Sequence, residues 1–233
     1  MSDLRDYQEW HRQYDDPTSG ISWRLRTVQD YIRGALDTAF LTDRASLEGA
    51  SLDGAVLGGD PGSFRILSLC AGDGRDVIDV LAERPDADRI AATLVELHPE
   101  IAQQARDRAS QAGLRHVEVR TANAGTVDLF ADVIPVQLLL LVGIFGNISD
   151  DDIHRTIAAA PQLCAPGATV LWSRGRSKID FNDQVRAWFA EAGFTELDYA
   201  PLDTGSRPAA GAMRYDGPPQ PLVAGQQLFT FIR

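Results

Sequence analysis

The sequence is short of cysteine, of long apolar runs and of positive charge, and each shortage narrows what the chain can be. Its two cysteines, Cys70 and Cys164, stand alone inside apolar segments, without CxxC or Cys/His spacing. Two buried free thiols are therefore expected, with no disulfide framework and no metal site. No run approaches the roughly 18 apolar residues that a membrane span requires. The opening MSDLRDYQEW lacks the apolar core of a signal peptide, so a cytoplasmic protein with no membrane partner is the expectation. Lys and Arg number 22 against 33 Asp and Glu, a formal charge of −11. A chain this acidic repels a phosphate backbone, whose binding depends on Lys and Arg, so nucleic acid is not an expected partner. A Walker loop and a Ser-His-Asp order are missing too.

What is present suffices for one sizeable core: 233 residues, 44% of them hydrophobic, read as a single domain over 1–233. Tyr7, Trp10, His11 and Tyr14 fall at i, i+3, i+4, i+7, and Leu25, Val28, Ile32 and Leu36 continue the helical period, so two helices separated at DDPTSG form an N-terminal cap over 1–45. A Gly-, Ser- and Asp-rich loop over 46–63 leads to the core at 64–233. Strands are predicted near 64–70, 90–96, 116–121, 136–142, 168–173, 194–200 and 227–232, and helices near 75–84, 99–112, 150–163 and 181–192. FRILSLC and VQLLLLV are continuously apolar, as strands become when helices cover both faces of a sheet. The pattern is that of an α/β doubly wound, Rossmann-like, mostly parallel seven-stranded sheet. GAMRYDGPPQPLVAGQQ reads as a Gly- and Pro-rich connection.

Between the first strand and its helix stand Ala71, Gly72, Asp73 and Gly74. In a doubly wound fold this turn lies at the carboxyl edge of the sheet, where ligands bind, and small residues let a ligand approach the backbone and the helix N-terminus. Glu96 ends the second strand 22 residues beyond Gly74, where a carboxylate can accept two hydrogen bonds from a ribose diol. A dinucleotide fingerprint requires a small residue where Val77 stands, which makes an NAD-binding oxidoreductase the alternative reading.

LSLCAGDGRD resembles the first motif of class I S-adenosylmethionine-dependent methyltransferases, with Ser68 in place of the usual acid and Cys70 in place of the loop's first glycine. The resemblance implies a cofactor, S-adenosyl-L-methionine, whose methionine part lies on Cys70, Ala71, Gly72, Asp73 and Gly74. Asp73 or Asp76 would partly substitute for the missing acid. It further implies that Glu96 holds the ribose, that Leu97 or His98 lies on the adenine face, and that Asn123 and Ala124 stand where the family commonly has Asp-Ala. The segment that Gly143 opens after the fourth strand resembles the family's segment where cofactor and acceptor meet, and Ser149 before DDD reads as a helix N-cap. More narrowly, WHRQYDDPTSG, LSLCAGDGRD, GIFGNISD and AWFAEAGF together resemble a group of uncharacterised methyltransferase-like proteins of actinobacterial type.

The Asn/Asp-Pro-Pro-Tyr/Phe signature of amino-group methylation is replaced by VGIFGNI, which with the acidic charge leaves a small molecule as the expected acceptor, methylated at O, N or C. Candidate acceptor residues are Phe145 and Asn147 after the fourth strand, Arg174 (with Arg176) after the fifth, and His11 and Tyr14 on the aromatic stripe. Packing is the commoner reason for such a stripe. Tyr14 is alternatively a partner for the cofactor carboxylate, and His11 is the most interesting candidate base, needed only if the acceptor must lose a proton. His154 reads as helix surface. Two non-enzymatic readings stand beside this one: an S-adenosylmethionine-binding protein without transferase activity, and a structural module with an empty crevice.

Overall fold

The computed structural model describes Tyr14 and residues 16–48, 63–176 and 180–232. Its elements in chain order are α1 (Gly20–Glu48), β1 (Phe64–Leu69), α2 (Arg75–Ala82), β2 (Ile90–Glu96), α3 (Pro99–Gln111), β3 (Val117–Thr121), β4 (Val136–Leu141), α4 (Asp150–Leu163), β5 (Cys164–Gly175), α5 (Asn182–Glu191), β6 (Phe194–Pro201) and β7 (Pro208–Tyr215). The strands form one seven-stranded sheet in the order β3-β2-β1-β4-β5-β7-β6. Neighbours pair in parallel from β3 through β5, and β7 runs antiparallel to both β5 and β6, so the sheet is mixed with a single reversed strand.

The apolar runs explain the layering. Successive side chains of a strand leave opposite faces. Along β4, Leu138 and Leu140 therefore join a cluster with Val28, Ile32 and Leu36 of α1, Val77 and Leu81 of α2, and Ala105 and Ala109 of α3. Leu139 and Leu141 join the opposite cluster with Ile153 and Ile157 of α4 and Val185 and Phe189 of α5. Helices thus cover both faces, and each fully buried Leu or Ile contributes about 1.5–3 kcal/mol relative to exposure. The N-cap expected at Ser149 forms: its hydroxyl accepts the Asp152 amide at 3.1 Å, with acids at 150–152 in the first turn.

One expectation is corrected. The seventh strand is not 227–232 but Pro208–Tyr215, whose second half lies inside the stretch GAMRYDGPPQPLVAGQQ read as a connection. PAAGAMRY hides its strand character because small residues are needed there: a Cβ on Gly211 would lie 2.4 Å from the Trp172 indole nitrogen. QLFTFI, despite its alternation, makes one isolated bridge, Thr126 to Gln227. The described part of the N-terminal region is also a layer of the core, since Val28, Ile32, Leu36 and Phe40 pack down on the sheet face. Tyr7, Trp10 and His11 lie outside the described residues.

Candidate active site

The turn after β1 takes a backbone path that the sequence only half prepares. Cys70, Gly72 and Gly74 have φ of 56°, 59° and 71°, the left-handed region that glycine enters freely. At Cys70 an L side chain sits there at a cost of about 1–2 kcal/mol, so the path survives the departure from glycine under strain. At Gly74 a side chain would be strained by the φ and would force Ile78 and Leu94 to shift, because a Cβ would lie 2.7 Å from Ile78 Cδ1 and 2.8 Å from Leu94 Cδ1.

Glu96 holds this turn from the end of β2. Its Oε2 accepts the Gly72 amide at 3.0 Å and its Oε1 the His98 amide at 2.9 Å, while the side chain is almost wholly buried. Each carboxylate oxygen retains a second lone-pair direction for a ligand hydroxyl. Beside it Leu97 is half exposed, an apolar surface next to a carboxylate. Burial, with Glu96 close by, pushes the Cys70 thiol up to about 12, so it stays a neutral thiol.

The opposite rim comes from α1. The Arg24 guanidinium donates to the Tyr14 hydroxyl at 3.3 Å and would stand 3.7 Å from a Cβ on Gly143, whose φ is 77°. Arg75 lies over the Tyr14 ring at 4.2 Å. Burial holds the Tyr14 phenol above its usual range, with Arg24 opposing and Asp76 adding to the shift. Burial also raises the Asp76 carboxyl to about 6; the Val77 amide opposes the shift, Asp73 adds to it, and Arg24 opposes it. The Arg24 cation and the Asp76 carboxyl are thus close enough to influence one another beside the turn after β1. Sequence reasoning missed Arg24, because an arginine on a helix between buried positions carries no mark of its own.

Other sequence candidates fall elsewhere. Asp73 is buried and ion-paired to Arg75 at 2.5 Å and Arg108 at 3.3 Å, so it pins the turn to α2 and α3 rather than offering free oxygens. Ala124 is buried in the core, and Asn123 is exposed with its Oδ1 accepting the Gly125 amide at 2.9 Å, a turn-forming bond. Gly143 donates to the Ser173 hydroxyl at 2.9 Å. Asn147 closes the same turn by donating from Nδ2 to the Gly143 carbonyl at 2.9 Å. Phe145 is corrected outright: it is 1% exposed and packs between Trp172 and Phe189, with ring centroids 6.3 and 6.5 Å away, so it is core and cannot line an open acceptor pocket. Arg174 lies at the carboxyl end of β5 with its guanidinium 5.1 Å from the Phe181 ring. Arg176 instead ties β5 to the β6–β7 connection, donating to the Leu202 carbonyl at 2.9 Å and Asp203 at 2.8 Å.

A further wall was not anticipated. After β7 the chain returns across the carboxyl edge: Leu228 donates to the Gly125 carbonyl at 2.7 Å, Thr230 to Asp152 at 3.0 Å and Ile232 to the Asn147 carbonyl at 3.0 Å. This strap joins the turn after β3 to the turn after β4, and a Cβ on Gly125 would meet the Phe229 carbonyl at 2.6 Å. His154 is exposed and stacks on Trp188 at 4.7 Å, lining an open groove between α4 and α5 that contains none of the turn residues. Among the described residues, no three His, Cys, Asp or Glu side chains converge on a metal-sized site, and no helix is long and apolar enough to cross a membrane.

No family model and no curated protein matches the chain. Solved structures match its fold. They include the [4+2]-cyclase SpnF (14% identity, 67% of this chain and 76% of that one, TM-score 0.54). An O-methyltransferase family protein from Burkholderia thailandensis matches at 15% identity over 70% of this chain, which spans only 52% of that one, with a TM-score of 0.53. A protein from Clostridium thermocellum described as a putative rRNA-methylase matches at 10% identity, covering 68% and 89% of the two chains, TM-score 0.53. At such identities the likeness is one of fold, shared by proteins of unlike reactions and substrates.

Proposed function

We propose that the protein is an S-adenosylmethionine-dependent methyltransferase acting on a small molecule. The observation that carries the reading is the Glu96 carboxylate, buried at the end of β2 and bonded to the amide of Gly72 in a left-handed turn. A carboxylate so held supports a reading in which it accepts from a diol beside a backbone that a ligand can approach. The methyltransferase-type neighbours and the LSLCAGDGRD motif support the same reading; the narrower likeness to actinobacterial-type proteins leaves the acceptor open.

The residues fit the group in four places. Glu96 takes the ribose hydroxyls, Leu97 offers its half-exposed side chain to the adenine, and the turn 70–74 takes the methionine chain. Arg24 and Asp76 then meet the carboxylate and the ammonium of the amino-acid end, with Tyr14 holding Arg24 in place. The cofactor supplies an electrophilic sulfonium methyl group. The chain's own task is to hold the acceptor in line and keep water out, and orientation of this kind is worth up to about 7–11 kcal/mol in favourable intramolecular cases. The strap, buried at Leu228 and Phe229, and the turn closed at 143–147 would form walls for it.

The test is incubation with methyl-tritiated S-adenosylmethionine and fractionated cell extract. Label should enter the small-molecule fraction and disappear with Glu96→Ala. Label in protein or nucleic acid would overturn the acceptor class, and cofactor binding without any transfer would favour a binding protein.

A further inference from the structure

Arg174 is about as buried as Arg84 and Arg120 and is held by longer bonds than either. Arg84, with its side chain 14% exposed, satisfies all three guanidinium nitrogens: Nε and Nη2 on Asp86 at 2.8 and 2.9 Å, Nη1 on Asp37 at 2.6 Å. Arg120, 20% exposed, is held between Glu118 and Asp132 by four bonds of 2.7 to 2.9 Å and donates to the Leu129 carbonyl as well. Arg174, 15% exposed, has two long bonds, from Nε to the Phe145 carbonyl at 3.3 Å and from Nη2 to Asp150 at 3.4 Å. Its Nη1 is buried with no hydrogen-bond partner among the described residues.

A buried guanidinium normally recovers its lost hydration through short, charge-assisted bonds. Here that compensation is missing, and burial pushes the guanidinium's pKa down against the opposing pull of Asp150 and Asp180. The site is also placed for a ligand. Arg174 stands at the carboxyl end of β5, bonded to the 143–147 segment through the Phe145 carbonyl, at the sheet edge where doubly wound folds bind substrates. Because its two bonds are long, turning the guanidinium toward an incoming anion gives up little.

We propose that Arg174 is the recognition group for a carboxylate carried by the acceptor, with the Phe181 ring beside the guanidinium forming the wall of the subsite. The inference rests on the methyltransferase reading for the word acceptor, and on Arg174 alone for the carboxylate. The planar fork matches a carboxylate in two parallel bonds. A doubly charged phosphate is the poorer fit, since one arginine faces Asp150 and Asp180 in a chain of net charge −11.

The experiment follows the Arg174 Nε–Hε resonance of the ¹⁵N-labelled protein, assigned by its loss in Arg174→Met, while benzoate, acetate and inorganic phosphate are titrated with and without S-adenosylhomocysteine. Benzoate is expected to shift the resonance saturably, and by calorimetry to bind Arg174→Met at least about tenfold more weakly than the parent, with Arg174→Lys between them. Arg174→Met is also expected to keep or raise the Tm, because it removes an under-paired buried charge of similar length. A shift with phosphate and none with carboxylates overturns the ligand class. Benzoate binding that survives in Arg174→Met, or a fall in Tm with anion binding unchanged in Arg174→Lys, makes Arg174 a structural residue. Failure of S-adenosylhomocysteine to bind, with benzoate still bound at Arg174, overturns the methyltransferase reading and leaves the anion site standing.

Discussion

The two ends of the cleft are built by different means. On the β1–β2 side, one short turn and one carboxylate do the positioning: the amides of Gly72 and His98 converge on Glu96, and every residue concerned lies within 30 positions of the others in sequence. On the β4–β5 side, positioning is spread along the chain. Ser173 holds Gly143, the Ile232 amide holds Asn147, and the Phe145 carbonyl holds Arg174. The lesson is that a site made from local backbone geometry leaves a sequence motif, whereas one made from long-range packing leaves almost none.

Substitutions sharpen that contrast, and the largest loss of stability belongs to the distributed side. Phe145→Ala should cost about 3–5 kcal/mol of unfolding free energy in a denaturant titration, the usual loss for a buried Phe, while S-adenosylhomocysteine affinity of the folded fraction stays unchanged. An altered affinity with little loss of stability would return Phe145 to the ligand site. Glu96→Ala should do the reverse: loss of two charge-assisted bonds to a ligand, each worth about 1.5–3 kcal/mol, predicts binding weaker by roughly a hundredfold or more. Gly125→Ala should cost roughly 1–3 kcal/mol, because its Cβ meets the Phe229 carbonyl and the strap must shift. Protease cleavage at the C-terminus should then accelerate, and an unchanged digestion pattern would show that the strap is not held there.

The smallest effect is in pH. Asp76 binds its proton with a folded pKa of about 6, above its ordinary value of 3.8, so between those values the folded state holds more proton than the unfolded one. Its contribution to stability is present below the ordinary value and lost as pH rises toward 6. Asp76→Asn should flatten this part of the Tm profile, and affinity for an ammonium-bearing ligand should rise in the parent from pH 5 to 7. An identical profile in the variant would remove Asp76 from the account.

How much was legible follows the same division. FRILSL and VQLLLL announced β1 and β4 because helices bury both faces, and the Gly-rich turn with Glu96 came from spacing alone. β7 was not legible, since packing against Trp172 demands the small residues that resemble a linker. The alternation of QLFTFI was misleading because Leu228 and Phe229 are buried beneath the turns they bridge rather than paired along a strand edge. Phe145 was misplaced because position after a strand says nothing of which way a side chain turns. Arg24 was invisible because its role depends on where α1 crosses Gly143.

The most direct measurement is a calorimetric titration of the protein with S-adenosylhomocysteine, with NAD in parallel. The account predicts one-to-one binding of S-adenosylhomocysteine in the micromolar range, about −8 kcal/mol, and no heat with NAD. Binding of NAD in its place, or of neither ligand, would contradict the assignment of the turn at 70–74 and of Glu96.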